Sequence, residues 1–367
     1  MEYRKYGDVV ICAIPGNDEL DMKEIEYIVE HTHNTWQHDR PISEIKENTM
    51  QGKRAEIVIE HILAENSVVR YLSYDKLRRD NFNKHAPFDG VIFNCSVKEA
   101  ILDEAIGRIN YDVNNSRGDS GIISIETREF LEDKGIFTVE IKSSLLQDPR
   151  DYRNMIHKSK EQRTEEDYNS LCEYIKKSYD YFVYPHYCRD NPDITSFYEY
   201  TTYVRKMKPE IASGVDKAKF LQNLMREEFN NACDIYTRVF FDVLSDEIII
   251  PGYVIKARFF EEPRIMKMPS PKSKNAIYYM YHMNLGTGIL EVDKDAELNR
   301  WNRFNVYANL LGMRLPLCPT CEKQLKLVET TSNSDYRKHK FLYLCENCET
   351  NRWLELNQIH QKNMKVR

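Results

Sequence analysis

Two acidic residues and a lysine lie at the ends of two apolar segments of the chain. Asp89 directly precedes the apolar run 90–93, and Glu140 and Lys142 end the run that begins at Gly135. Side chains alternate along a strand, so Glu140 and Lys142 should face the same side. Two carboxylates and an ammonium that meet at the ends of paired strands can hold a hard divalent cation and position a water molecule beside a phosphate. These residue types at this spacing therefore predict metal-dependent hydrolysis of phosphodiester bonds.

Four of the nine cysteines form two Cys-x2-Cys pairs in the C-terminal part of the chain. Each pair can hold one side of a tetrahedral ion, and two pairs complete a closed site that suits structural zinc. The alternative of two unrelated redox pairs is weaker, because this short segment has too little core to fold without a metal. The sequence thus predicts a zinc ribbon whose Zn2+ ligands are Cys318, Cys321, Cys345 and Cys348.

The loop between the two cysteine pairs carries basic residues at 337–340. A basic ribbon loop can contact nucleic acid, and a purely structural ribbon is the alternative. The remaining cysteines lie singly among apolar or mixed residues, so we expect them to be buried small hydrophobes. They are Cys12, Cys95, Cys172, Cys188 and Cys233.

The composition limits how the protein can meet a partner. The chain has 367 residues, with 52 Lys and Arg against 58 Asp and Glu, and a net charge of -6. This balance argues against a protein that coats nucleic acid through its bulk charge, so a polyanion would have to meet local basic patches. The candidate patches are residues 70–84, 203–208, 264–274 and 336–340.

No segment of the sequence has the character of a membrane span. The apolar runs are far shorter than the roughly 18 to 20 uninterrupted apolar residues that a spanning helix needs. The first residues lead to no apolar signal-peptide core. The protein is therefore expected to be cytoplasmic and to have no membrane partner.

Hydrophobic periodicity predicts a chain in which helices and strands alternate. Helices are expected at 22–31, 49–65, 97–109, 152–178 and 217–244. The last of them has the strongest pattern of apolar residues three and four positions apart. Strands are expected at 9–13, 67–74, 90–93, 135–142 and 180–184, with a hairpin or bent strand at 247–255.

The order of these motifs resembles the PD-(D/E)XK nuclease superfamily, which has the restriction-endonuclease-like fold. The resemblance covers about residues 49–260 and rests on Gly52-x3-Glu56, Phe88-Asp89-Gly90, Glu140-Ile141-Lys142, residues 180–184 and Pro251-Gly252-Tyr253-Val254. It implies an α/β fold with a mixed central sheet flanked by helices. It also implies that Asp89 and Glu140 are Mg2+ ligands. Lys142 would orient or activate the attacking water, and Glu56 would be a helix carboxylate at the metal site.

The sequence leaves two alternatives to this site open. Residues 95–134 form an insertion between the two strands, so Asp119 or Glu126 could replace Asp89 as the acidic ligand. The Glu-Ile-Lys motif could instead be a solvent-facing charge pair with no catalytic role.

These motifs predict three parts of the chain. Residues 1–48 are expected to be an accessory segment, 49–295 the nuclease core, and 296–367 a helix followed by the zinc ribbon. We expect a Mg2+-dependent DNA endonuclease of a restriction or phage-defence system. The alternatives are a repair or recombination nuclease, a nuclease that acts on RNA, and a non-catalytic nucleic-acid-binding or assembly protein on the same fold. Expected partners are DNA, a second copy of the chain, since double-strand cutting usually needs two active sites, or a partner subunit of a defence system.

Overall fold

The structure, a computed structural model, separates into two units, and each is described here by itself. The larger unit contains Met1–Tyr181, Cys233–Ile255 and His282–Trp301, and the smaller contains Phe182–Ala232, Lys256–Tyr281 and Asn302–Arg367. The residues that the structure describes are 2–35, 41–65, 68–116, 120–146, 158–183, 197–209, 220, 224, 227–256, 258, 264–268, 276–294, 320–321, 326–331, 340–345, 347–348 and 350–355.

A mixed sheet of eight strands is the centre of the larger unit. The first nine strands described in the chain are β1 (Tyr3–Tyr6), β2 (Val9–Ala13), β3 (Val69–Ser73), β4 (Gly90–Asn94), β5 (Ile136–Leu145), β6 (Asp180–Val183), β7 (Ile235–Asp242), β8 (Glu247–Ile250) and β9 (Tyr253–Ile255). All of these except β6 belong to the sheet, in the order β1-β2-β8-β7-β5-β4-β3 with β9 paired to β7. β3, β4 and β5 pair in an antiparallel manner, whereas β5 and β7 are parallel.

Helices flank this sheet, so the expected mixed α/β architecture is confirmed at that level. The helices of the unit are α1 (Met22–Thr35), α2 (Ile42–Glu65), α3 (Tyr74–Leu77), α4 (Glu99–Asn115), α5 (Ile125–Asp133) and α6 (Glu165–Ser178). α2 packs on α1, β3 and β5 through a stripe of apolar residues three and four positions apart. The buried residues of α2 are Ile45, Ala55, Val58, Ile59, Ile62 and Leu63.

The predicted insertion contains α4 and α5, which lie in the chain between the directly paired strands β4 and β5. Ser124 is the N-cap of α5, and its hydroxyl accepts a hydrogen bond from the amide of Thr127 at 3.1 Å. The carboxylate of Asp112 on α4 accepts hydrogen bonds from the amide and the hydroxyl of Ser124, at 2.8 and 2.7 Å. The two helices are therefore tied together, and the insertion leaves the pairing of β4 with β5 intact.

The helix predicted at 217–244 is wrong over its second half, where the chain forms β7. Residues 227–231 are helical, but all eight residues of β7 are buried in the sheet. A strand that is covered on both faces has no polar side, so its apolar residues can match a helical spacing by chance. The β-branched and aromatic residues of Ile235–Asp242 favour a strand.

Residues 1–48 differ from the expected accessory segment. β1 and β2 form a hairpin, and β2 pairs with β8, so this segment supplies two strands of the central sheet. α2 begins at Ile42 rather than residue 49, and the expected boundary therefore falls inside a helix. The strands expected at 9–13 and 67–74 are confirmed as β2 and β3.

The smaller unit contains α7 (Phe197–Met207), a pair of strands and a three-stranded sheet. The pair is antiparallel and consists of β10 (Arg264–Met268) and β11 (Ala276–His282), whose last residue belongs to the larger unit. The sheet consists of β12 (Lys326–Thr331), β13 (Lys340–Cys345) and β14 (Thr350–Glu355), all antiparallel. Across the described residues of both units, no helix combines the length and the apolar composition that crossing a membrane requires.

Candidate active site

Asp89 is fixed at the start of β4 by hydrogen bonds from both neighbouring strands. Its amide donates to the carbonyl of Val139 at 2.9 Å, and its carboxylate oxygen Oδ2 accepts from the amide of Ile141 at 2.5 Å. Its carbonyl accepts from the amide of Tyr74 at 2.9 Å and from the hydroxyl of Tyr71 at 3.0 Å. The backbone of the sheet therefore determines where this carboxylate lies, directly beside β5.

Gly90, the residue after Asp89, is required by the close approach of Tyr71. A Cβ atom on Gly90 would lie 2.5 Å from atoms of the Tyr71 ring, far inside van der Waals contact. Tyr71 is only 4% exposed and donates its hydroxyl to Asp89, so the ring cannot move aside cheaply. Glycine at this position thus lets the ring of Tyr71 pack against the backbone and donate its hydrogen bond to Asp89.

Glu140 and Lys142 lie together on β5, as alternation along a strand predicts. The ammonium of Lys142 donates to Oε1 of Glu140 in a short charge-assisted hydrogen bond. Their side chains are 12% and 36% exposed, so the glutamate is mostly covered while the lysine reaches solvent. The thiol of the buried Cys233 lies 3.7 Å from Oε2 of Glu140. No sequence pattern indicates this contact, because Cys233 lies 93 residues further along the chain.

Glu56 approaches from α2. Its Oε2 accepts a hydrogen bond from the hydroxyl of Ser73, the last residue of β3, at 2.5 Å. Oε2 also lies 3.5 Å from the ammonium of Lys53, one turn earlier on the same helix. Gln51, on this helix, donates from Nε2 to the hydroxyl of Ser143 on β5 at 2.9 Å. These contacts hold the predicted helix carboxylate against the strands that carry the other site residues.

The carboxylates of the site are close enough to influence one another's protonation. Burial, followed by the negative charges of Glu140 and Glu56, raises the pKa of Asp89 to about 8, although Lys142 opposes the shift. Burial also raises the pKa of Glu56 to about 7, with Lys53 opposing and Asp75 contributing to the rise. Carboxyl groups that are buried near other carboxylates have pKa values nearer neutrality, and such groups are candidates for a functional site.

The donor atoms of this cluster are of the type that a hard divalent cation prefers, although among the described residues it is three cysteines of the smaller unit whose ligand atoms all lie within 4.8 Å of one another. Asp89, Glu140 and Glu56 offer carboxylate oxygens, which are the ligands preferred by Mg2+ and related ions. Burial is the largest cause of the raised pKa of Asp89, and the repulsion from Glu140 and Glu56 that adds to it is an interaction that a bound cation would relieve. Asp89, Glu140 and Lys142 could therefore act together at one metal ion.

Asp119 and Glu126 are the alternative acidic ligands that the sequence leaves open. Asp119 lies outside the described residues, and Glu126 is exposed in the first turn of α5. Asp89 is the acidic residue that the structure brings beside Glu140, because β4 and β5 pair directly across the insertion.

A network of charges beside Glu56 was not predicted from the sequence. Arg78, with a side chain only 6% exposed, binds both carboxylate oxygens of Asp80 at 2.7 and 2.9 Å and contacts Asp75 at 3.2 Å. Lys76 pairs with Glu60 at 2.9 Å. Two of the basic residues in the expected patch 70–84 are therefore already neutralised within the protein.

Three of the four predicted zinc ligands lie together in the smaller unit. The sulfur atoms of Cys321, Cys345 and Cys348 all lie within 4.8 Å of one another, so this cluster could hold a metal ion. Cys345, the last residue of β13, is buried, and its sulfur lies 3.5 Å from that of Cys321. Cys318 lies outside the described residues, as does Cys188.

The other single cysteines were predicted to be buried, and one of those predictions is wrong. Cys12, Cys172 and Cys233 are buried, whereas Cys95 is exposed. It directly follows β4, whose last residue Asn94 is itself exposed, so the chain leaves the sheet for the surface there.

Comparison with known proteins yields no relative from which a function could be transferred. No model of a known protein family matches the chain, and neither the curated proteins nor the solved structures contain a significant match. The chemistry of the site is therefore the basis on which its function can be inferred.

Proposed function

We propose that the larger unit hydrolyses phosphodiester bonds of DNA with a divalent cation, Mg2+, held by Asp89 and Glu140. The observation that carries this proposal is the convergence of Asp89, Glu140 and Lys142 where the start of β4 pairs with the middle of β5. Two carboxylates with a lysine beside them can hold a cation and, at the same time, place a water molecule next to a phosphate. The mixed sheet with flanking helices supports this proposal, because it agrees with the architecture that the family resemblance implies.

Each residue has a separate role in this proposal. Bound Mg2+ would supply charge neutralisation at the phosphate oxygens and a water of lowered pKa. Lys142, the more exposed member of its ion pair, orients the attacking water and donates hydrogen bonds to the charge that develops on the phosphate. Glu140 keeps the ammonium in place through its Oε1. Glu56 accepts a hydrogen bond from water at the edge of the site.

We further propose that the cysteine cluster binds structural Zn2+, with Cys318 as the fourth ligand. Three thiols within 4.8 Å of one another support a tetrahedral thiolate site, and four thiolates leave no position open for catalysis. Removing zinc with a chelator should unfold the three-stranded sheet of the smaller unit and leave the larger unit folded. Hydrogen exchange measured before and after chelation would test this, and global loss of protection would contradict it.

The nuclease proposal is tested by incubating the protein with supercoiled plasmid, linear DNA and single-stranded RNA in Mg2+. Asp89→Asn and Lys142→Met should each lower the cleavage rate by about 10²–10⁴-fold, because each removes a group that acts on the reacting atoms. Lys177→Met is the matched control, since Lys177 forms an exposed pair with Glu173 on α6. This variant should cleave at the wild-type rate.

Three outcomes would overturn or redirect the proposal. Unchanged Mg2+-dependent cleavage in both site variants would show that the activity belongs elsewhere in the chain. Cleavage of RNA alone would replace DNA as the substrate. DNA that is retained on a gel but never cut would favour a non-catalytic binding protein instead.

A further inference from the structure

Lys53 lies among three carboxylates at the edge of the proposed metal site. Its ammonium is 2.6 Å from Oδ2 of Asp75, 3.5 Å from Oε2 of Glu56 and 3.5 Å from Oε1 of Glu24. The side chain is only 13% exposed. An ammonium in this position is a fixed cation, built into the protein, beside the cluster that contains Asp89.

This ammonium contacts the carboxylates that a second metal ion beside Glu56 would need as ligands. Two-metal sites hold their ions roughly 4 Å apart, and each ion needs carboxylates that no other cation has neutralised. Here one oxygen of Asp75 is paired with Lys53 and the other with Arg78, at 3.2 Å. Glu56 also presents its Oε2 to Lys53, so neither acid is left to bind a second ion with its full charge.

The same contacts set the orientation of Glu56. Ser73 and Lys53 both bind Oε2, from the end of β3 and from the preceding helical turn. Among the described residues, no hydrogen bond reaches Oε1. Because Oε2 is held from two directions, Oε1 is the atom that Glu56 can turn to a metal-bound water.

We propose that Lys53 takes the place of a second metal ion, so that the site binds one divalent cation per chain, and that Lys53 and Ser73 position Glu56 beside it. This inference rests on the proposed function and specifies its metal stoichiometry. Lys53 and Ser73 are positioning residues in it, since they act through Glu56.

The test is a titration of the full-length, zinc-loaded protein with Mn2+. Mn2+ prefers oxygen ligands, so it should leave the zinc at the cysteine cluster in place. Isothermal titration calorimetry should give one Mn2+ per wild-type chain. Lys53→Met, which keeps the length of the side chain but removes its charge, should give two. The electron paramagnetic resonance spectrum of the variant should then show coupling between two neighbouring Mn2+ ions.

Two variants control this experiment. Lys53→Arg keeps the positive charge and should bind one Mn2+. Lys76→Met removes a lysine that is 54% exposed and paired with Glu60 rather than with Asp75 or Glu56, and this variant should also bind one. Circular dichroism confirms that each variant is folded before the titration.

The outcomes separate this inference from the proposed function. Two Mn2+ ions per wild-type chain, or one in Lys53→Met, would overturn the role of Lys53 while leaving a metal-dependent nuclease possible. No Mn2+ bound to the wild type would remove the metal site itself and with it the nuclease. If Lys53→Met does not fold, Lys53→Gln takes its place in the same titration and should bind two Mn2+ ions.

Discussion

The larger unit contains two clusters of buried charge, and they are built in opposite ways. In the first, Arg163 is fully buried and lies 2.6 Å from Asp242, while Arg4 pairs with Glu247. The hydroxyl of Tyr168 donates to the second oxygen of Glu247 at 2.8 Å. We call this set the paired network. In the second cluster, the carboxylates of Asp89, Glu140 and Glu56 gather, and the pKa values of Asp89 and Glu56 rise toward neutrality.

The paired network has the charge arrangement of a structural element, whereas the acidic cluster has that of a binding site. Charges that leave water are more stable when each lies beside an opposite charge, as in the paired network. Carboxylates that repel one another destabilise the folded protein, and a chain keeps such a cluster where a ligand can compensate it. The paired network therefore holds β7 and β8 to neighbouring segments, whereas the acidic cluster is suited to bind a cation.

The largest expected effect on stability comes from breaking the paired network. Arg163→Met leaves the carboxylate of Asp242 buried without its cation and should lower the free energy of unfolding by about 3–5 kcal/mol. Chemical denaturation followed by fluorescence measures this. Arg108→Met is the control, because the exposed pair of Arg108 with Glu104 should contribute no more than about 1 kcal/mol. Equal losses in the two variants would mean that the network is not structural.

A smaller effect is expected where the backbone presents Asp89. Gly90→Ala places a methyl group against the ring of Tyr71 and should cost about 1–3 kcal/mol of stability. It should also lower metal affinity, since Tyr71 and Asp89 must shift together. Gly107→Ala on α4 is the control, because a Cβ there meets nothing within 4 Å and should stabilise the helix. Unchanged stability and Mn2+ affinity in Gly90→Ala would refute the requirement for glycine beside the ring of Tyr71.

A pH dependence of stability is also expected in the absence of divalent cations. Burial, followed by the charges of Glu140 and Glu56, raises the pKa of Asp89 to about 8, and burial raises the pKa of Glu56 to about 7, so both carboxyl groups keep their protons to higher pH in the folded protein. The unfolded chain releases the same protons near pH 4. The stability that these two protonated carboxyl groups contribute to the folded state is therefore complete below about pH 4 and is lost as the pH rises through 7 and 8.

Thermal midpoints of zinc-loaded, magnesium-free protein between pH 5 and 8 test this dependence. The midpoint should fall with rising pH in the wild type, and the fall should be smaller in Asp89→Asn. Added Mg2+ should restore stability at pH 8. Glu104→Gln, which alters an exposed carboxylate on α4, should keep the wild-type slope. A wild-type midpoint that rises toward pH 8 without metal would contradict the raised pKa of Asp89.

The residues of the site could be predicted from the sequence where the signal was local. Asp89 directly precedes a strand. Glu140 and Lys142 occupy alternate positions of another strand, so alternation places these two side chains on the same face. The positions of Lys53 and Ser73 depend on how α2 packs across β3, which no short pattern encodes. One signal was present: Lys53 and Glu56 are three residues apart and therefore share a face of the helix.

The fold was predictable to the same extent. Short apolar runs such as β2 and β3 were found because turn residues delimit them. β7 was mistaken for a helix because a strand buried on both faces lacks the polar alternation that identifies most strands. The pairing of β2 with β8 joins residues more than 230 positions apart, and hydrophobic periodicity carries no information about such distant partners.

The parallel pairing of β5 with β7 has a consequence for synthesis of the protein. β5 ends at Leu145 and β7 begins at Ile235, so a ribosome completes β4 and β5 well before β7 is synthesised. Until residues 235–242 emerge, β5 is an open edge with unpaired backbone groups, and such edges recruit other chains. Nascent chains in which synthesis has passed residue 145 but not reached residue 235 should therefore be prone to aggregate and should bind chaperones.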